Sequence, residues 1–118
     1  MNIRIQVRHE AAKESIQRYI TSEFERTAKK FTDGEGSPVV SAEFIVDHEG
    51  PNGHVKTFEG IVHVPNDTLK VKESDTEAHK AIDAGMKVIE KLLKRHKETY
   101  TRPGSLIRHN TERRAPSA

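Results

Sequence analysis

The sequence predicts a two-layer α+β domain in which a four-stranded sheet carries both helices on one face. Three observations predict this fold. Four short segments alternate apolar and polar residues, two longer segments have apolar residues at helical spacing, and the order is β-α-β-β-β-α. The 118 residues, 33% of them apolar, suffice for one modest core. We predict a folded domain over residues 1–100 and a flexible basic tail over residues 101–118.

The first two elements are a strand and an amphipathic helix. Residues 2–7 (NIRIQV) alternate polar and apolar side chains, as in a half-buried strand. From about Ala11 to Phe31 the apolar residues recur every three or four positions, which predicts a helix. Gly34 and Gly36 then follow as the expected breakers at its C-terminal end.

Three more strands are predicted next, over residues 39–46 (VVSAEFIV), 55–64 (VKTFEGIVHV) and 68–74 (TLKVKES). Turn-forming residues separate them, and Asn66 in the second turn tolerates a positive φ. Consecutive short strands with short turns indicate an antiparallel meander. In the first of the three strands, alternation places four residues on one face: Val40, Ala42, Phe44 and Val46.

The last helix is predicted to begin with Ser74 as N-cap and Glu77 completing a capping box, and to end near residues 98–100. Gly85 lies beside its apolar stripe, where glycine costs about 1 kcal/mol relative to alanine. We expect close packing on the sheet to offset that cost. The predicted core comprises Ile5, Ile16, Ile20, Phe24, Phe44, Ile82, Met86, Ile89 and Leu93.

Positive charge is concentrated in the last helix and beyond. The net charge is +2, yet from Lys87 onward the chain is about +6 and before it about −4. At 100° per residue, five cations lie opposite the apolar stripe: Lys80, Lys87, Lys91, Lys94 and Arg95. Like charges four residues apart cost a few tenths of a kcal/mol, which a polyanionic partner would relieve. A solvated, lysine-rich helix face remains the alternative interpretation.

Several classes of function lack their motifs. The chain has no cysteine, and its histidines and acids form no catalytic or metal-binding motif, so we expect no enzyme, no metal and no cofactor. It has no signal-peptide core and no membrane-spanning run, so the default is a soluble cytoplasmic protein without a membrane or small-molecule partner. DNA-reading motifs are absent, and the few aromatics occupy core faces. An RNA partner bound through its phosphates and shape is favoured.

Over residues 1–98 the pattern resembles the ribosome hibernation promoting factor family. The residues that carry the resemblance are AID at 81–83, LLKRHK at 92–97, IVHVPNDTLKVK at 61–72 and IQRYI at 16–20. The chain departs from the usual family pattern at Glu23, at His79, and at Asn66 with Asp67. It is similar to the short form, which has no second, dimerising domain.

The resemblance implies a fold like that of double-stranded-RNA-binding domains with an added first strand. It also implies binding to the small ribosomal subunit and its rRNA at the decoding region, blocking mRNA and tRNA under stress or in stationary phase. Family-like basic positions are Lys91, Lys94, Arg95 and Lys97 on the last helix, and Arg26 and Lys29 on the first. With Lys87 and Lys80 they form the predicted RNA-binding set. A generic duplex-RNA-binding or transcription-modulating module is the alternative.

Overall fold

The computed structural model describes residues 2–8, 12–31, 39–50 and 54–101. The predicted order of elements is confirmed, and the breakers Gly34 and Gly36 lie outside these ranges. So does the predicted tail, except residue 101, which is the last residue of the second helix. The elements are β1 (Asn2–Val7), α1 (Lys13–Lys29), β2 (Ser41–Glu49), β3 (Val55–Val64), β4 (Asp67–Asp75) and α2 (Ala78–Thr101).

The four strands form one sheet in the order β1-β2-β3-β4. β1 pairs with β2 in parallel, with α1 as the crossover, while β2, β3 and β4 form the predicted antiparallel meander. Val64 pairs with Asp67, so Pro65 and Asn66 make a two-residue turn in which Asn66 has φ 69°. Proline in the first position and a positive φ in the second is the pattern of a type II turn.

Both helices pack on the same face of the sheet, as predicted. Phe24 of α1 meets Phe44 of β2 edge-on, with ring centroids 5.0 Å apart. Phe44 in turn stacks on Phe58 of β3 at 5.5 Å, and Gly85 of α2 lies against the Phe58 ring. Side chains of β1 to β4 that point to this face therefore form one core beneath two adjacent helices.

Eight of the nine predicted core residues are buried. The exception is Ile5, which is half-buried because β1 is an edge strand with a neighbour on one side only. The prediction that Val40 shares a face with Ala42, Phe44 and Val46 was wrong: those three side chains are buried, whereas Val40 is 61% exposed and β2 begins one residue later at Ser41. Val39 is buried in its place.

The predicted start of α2 was also wrong. Ser74 belongs to β4, where it pairs with Thr57, and it is not the N-cap. The carboxylate of Asp75 accepts the backbone N–H of Glu77 at 3.1 Å, and the helix begins at Ala78. Ser74 and Asp75 are the last two residues of β4, and the side chain of Asp75 rather than Ser74 accepts a backbone N–H ahead of the helix.

Candidate nucleic-acid interface

The outer face of α2 presents the cations that the helical pattern predicted. Ile82, Ile89 and Leu93 are no more than 1% exposed, which fixes the opposite side of the helix toward solvent. Five cations there are exposed: Lys80, Lys87, Lys91, Lys94 and Arg95. Lys97 is half-buried, because its position turns back toward the flank that faces α1. On α1, Arg26 and Lys29 are both exposed.

Not all of these cations are equally available to a ligand. Lys80 pairs with Glu77 at 2.8 Å and Arg26 pairs with Glu23 at 2.6 Å, both between residues three apart on the chain. The hydrogen bond to Glu77 raises the pKa of Lys80 above its ordinary value. In contrast, four of the predicted residues make no ion pair within the described part of the chain: Lys29, Lys87, Lys91 and Lys94.

A groove separates the two helices on this side of the protein. The Tyr19 hydroxyl donates a hydrogen bond to Asp83 across it, and farther along Lys30 Nζ lies 2.7 Å from Glu90 Oε1. These two contacts tie α1 to α2 at two points. Between them lies a shallow cavity of about 250 Å³, lined by Tyr19, Glu23, Arg26, Thr27, Asp83, Met86, Lys87 and Glu90.

The pKa values of Glu90 and Tyr19 in the groove are shifted. The hydrogen bond from Lys30, and then the nearby positive charges, lower the pKa of Glu90, so this carboxylate is ionised at neutral pH. The hydrogen bond to Asp83, together with burial, raises the pKa of Tyr19 to about 12. The phenol therefore remains a protonated donor throughout the physiological range.

The groove between the two helices is not uniformly cationic. Three carboxylates, which we call the acidic seam, line it beside Arg26 and Lys87: Glu23, Asp83 and Glu90. The basic surfaces of α1 and α2 are consequently two ridges on either side of this seam. The sequence does hold a signal for it, since Tyr19, Glu23, Arg26 and Lys30 recur at the spacing of one helix flank.

The opposite, open face of the sheet has a different character. Arg8 pairs with Asp47 at 3.4 Å, and Lys72 lies 3.7 Å from Glu59 on the neighbouring strand. Arg4 and Lys70 stand on the two edge strands in line with Glu43 between them. Because positive and negative side chains alternate across the strands, this face is a weaker candidate for a polyanion than α2.

The described residues hold no group of three or more His, Asp or Glu side chains placed to bind a metal ion. Neither of the described helices combines the length and the apolar character that a membrane span requires.

Comparison with solved structures shows proteins of the same fold. The N-terminal domain of Thermus thermophilus Protein Y is 21% identical, with a TM-score of 0.67, and the match covers 81% of this chain and 99% of that one. A ribosomal subunit interface protein from Coxiella burnetii is 15% identical, with a TM-score of 0.66, and the match covers 83% and 99%. No curated protein sequence matches the chain.

Comparison with protein-family models matches residues 3–101 to the family described as "Sigma 54 modulation protein / S30EA ribosomal protein". The match covers every described element almost completely. It confirms the resemblance to the ribosome hibernation proteins, a ribosome-associated family whose members are not known as enzymes. The chain belongs to the Sigma 54 modulation protein / S30EA ribosomal protein family.

Proposed function

We propose that this protein is a translation inhibitor that idles ribosomes in the cytoplasm under stress or in stationary phase. It binds the small ribosomal subunit at the decoding region through the outer face of α2, and thereby blocks mRNA and tRNA. One observation carries the proposal: in a ribosome-associated family, this chain exposes three lysines on one helix that make no ion pair with any residue the structure describes, Lys87, Lys91 and Lys94.

The geometry of these lysines suits phosphate groups. Lys87 and Lys94 are seven residues apart, which is about 10 Å along a helix axis, and Lys91 lies between them. Their side chains project from a helix whose other side is held in the core, so little backbone entropy is lost on binding. Lysine contacts to phosphates fix position and orientation without reading sequence. Recognition then depends on the shape of folded rRNA.

The α1 ridge supplies a second, weaker contribution. Lys29 is exposed and makes no ion pair within the described ranges, whereas Arg26 must first leave Glu23. A ligand that touches both helices therefore gains most from α2. One of the similar structures is described as a ribosomal subunit interface protein, which agrees with a surface that meets the ribosome.

A transcription-modulating or generic duplex-RNA-binding module is the second candidate. The family description includes sigma 54 modulation, and the same basic face would serve any duplex RNA. A generic binder responds to charge density and should bind every duplex with similar affinity. A ribosome factor should instead prefer one folded surface.

Binding measurements on ribosomal subunits test the proposal. Purified protein is sedimented with small subunits, with large subunits, and with duplex RNA of arbitrary sequence at physiological salt. We expect clear preference for small subunits, and release when mRNA and tRNA occupy the decoding region. Equal binding to all three polyanions, or binding indifferent to mRNA and tRNA, would contradict the proposed function.

A further inference from the structure

We propose that the acidic seam is a specificity element, in which Glu23, Asp83 and Glu90 keep phosphate strands out of the groove between α1 and α2. RNA is then contacted from the two ridges alone. This inference rests on the proposed function and deepens it, because it assigns residues that discriminate between folded rRNA and other RNA. Repulsion of wrong partners is a recognised source of specificity.

The groove is where a phosphate strand would otherwise settle. It is concave and bordered by the cations of both helices, and concave charged surfaces concentrate the electrostatic potential. Inside the groove, the carboxylates of the acidic seam offset the attraction of phosphate groups to these cations. Glu23 holds Arg26 at 2.6 Å and Glu90 holds Lys30 at 2.7 Å, so two cations that face the groove are already neutralised.

A row of two carboxylates and a row of two lysines run side by side along α2. Asp83 and Glu90 are seven residues apart on the flank that faces α1, and Lys87 and Lys94 are seven residues apart on the adjacent flank. At 100° per residue, the two pairs differ by about 20–60° around the helix. An RNA backbone on the lysines is attracted, whereas one displaced toward α1 meets two carboxylates. The seam thus limits where the backbone lies.

The Glu90 carboxylate of the seam remains charged at physiological pH. Its pairing with Lys30 keeps Glu90 ionised, as the lowered pKa of that carboxyl indicates. The Tyr19 hydroxyl remains a donor to Asp83, since its own pKa is about 12. A role limited to tying the helices together would affect stability, but it would not affect the choice between RNA ligands.

The test uses a variant with three neutral, nearly isosteric side chains: Glu23→Gln, Asp83→Asn and Glu90→Gln. Each amide oxygen still accepts a hydrogen bond, so the link from Tyr19 is retained. A control with the same change in net charge carries three substitutions at exposed positions outside the groove: Glu14→Gln, Glu25→Gln and Glu43→Gln. Affinities for free duplex RNA and for small subunits are measured against salt concentration.

We expect the seam variant to bind free duplex RNA on the order of tenfold more tightly than the parent. Release of Arg26 and Lys30 should make the slope of log K against log salt concentration steeper. The change is about 0.9 for each additional phosphate that is bound. Affinity for small subunits should change by less than about twofold in the same variant, and the control should keep the parent's preference. An unchanged preference in the seam variant, or an equal change in the control, overturns the inference.

The RNA preference of the parent protein distinguishes failure of this inference from failure of the proposed function. If the parent does not prefer small subunits to duplex RNA, the proposed function fails and the inference fails with it. If the parent has that preference and the seam variant retains it in full, the inference alone fails. Thermal melting checks the fold, and the double variant Glu23→Gln, Glu90→Gln decides by the same criterion if the triple variant unfolds.

Discussion

Gly85 of α2 lies directly against the aromatic ring of Phe58 in β3, so that a Cβ at position 85 would overlap two carbon atoms of that ring. Phe58 is fully buried, and its ring stacks on Phe44 on the sheet side. The ring therefore has no direction in which to retreat. Close packing of helix on sheet accounts for a glycine in the middle of a helix that carries the candidate interface.

Gly85→Ala should destabilise the protein although alanine favours helix. Overpacking costs about 1–3 kcal/mol and the gain in helix propensity is about 1 kcal/mol, so we expect a net loss of up to about 2 kcal/mol. The free energy of unfolding in urea measures it. Ala84→Gly, one position away and only half-buried, is the control and should lose about 1 kcal/mol through propensity alone. Stabilisation by Gly85→Ala would refute the tight contact.

Asp75→Ala should lower the melting temperature more than Ser74→Ala, because Asp75 accepts the N–H of Glu77 at the start of α2. That hydrogen bond is the main cause of the lowered pKa of Asp75. The stabilisation is therefore present above the unfolded pKa and is lost as pH falls through the lower folded value. Melting curves of both variants should converge in strong acid. A larger effect from Ser74→Ala would restore the capping-box interpretation.

His96→Ala should detach the end of α2 from the turn between β3 and β4. The imidazole is 8% exposed, and its Nε2 lies 2.8 Å from the carbonyl oxygen of Pro65. Loss of the hydrogen bond and of packing should cost about 1–3 kcal/mol in the free energy of unfolding. His54→Ala, at an exposed position, serves as the control and should stay within about 0.5 kcal/mol of the parent.

The phenol of Tyr19 should lose its proton at a higher pH than an ordinary tyrosine does. The chain has two tyrosines and no tryptophan, so Tyr100→Phe leaves Tyr19 as the sole phenolate chromophore. Ultraviolet absorbance should give a pKa of about 12, and Asp83→Ala should return it toward 10.0. Because the folded pKa is raised, the stabilisation from this group is complete below the unfolded value and is lost between about pH 10 and 12. Titration near 10 in the folded protein would show that the link to Asp83 is absent.

Local patterns in the sequence were sufficient to predict most of the fold. The sequence pattern predicted a strand over residues 55–64, and β3 has these bounds. The stripe of Ile82, Ile89 and Leu93 predicted both the burial and the orientation of α2. These features depend on side chains that share one face of one element. Contacts near in sequence determine them, so periodicity detects them.

Features that depend on pairing between distant segments were missed. Ser74 and Asp75 look equally fit to cap a helix, but both end β4, and it is the Asp75 carboxylate that accepts the N–H of Glu77. Val40 has the apolar character of a buried strand residue, but β2 begins after it. The acidic seam joins α1 to α2 across more than 50 residues of sequence. Neither helix alone shows where its acids will meet the other.

The salt dependence of binding to small subunits tests the central claim most directly. Two variants each lose three positive charges: Lys87→Gln, Lys91→Gln and Lys94→Gln on α2, or Arg4→Gln, Lys70→Gln and Lys72→Gln on the open face of the sheet. Circular dichroism first confirms that both variants fold.

We predict that the α2 variant binds small subunits at least about tenfold more weakly, with a salt slope reduced by about 0.7–0.9 for each phosphate that is no longer bound. The open-face variant should stay within about twofold of the parent, because its three cations lie on the side away from both helices. If the α2 variant instead binds like the parent at physiological salt, the outer face of α2 is a solvated surface. If both variants weaken equally, binding follows total charge and not the α2 face, and either result contradicts the proposed interface.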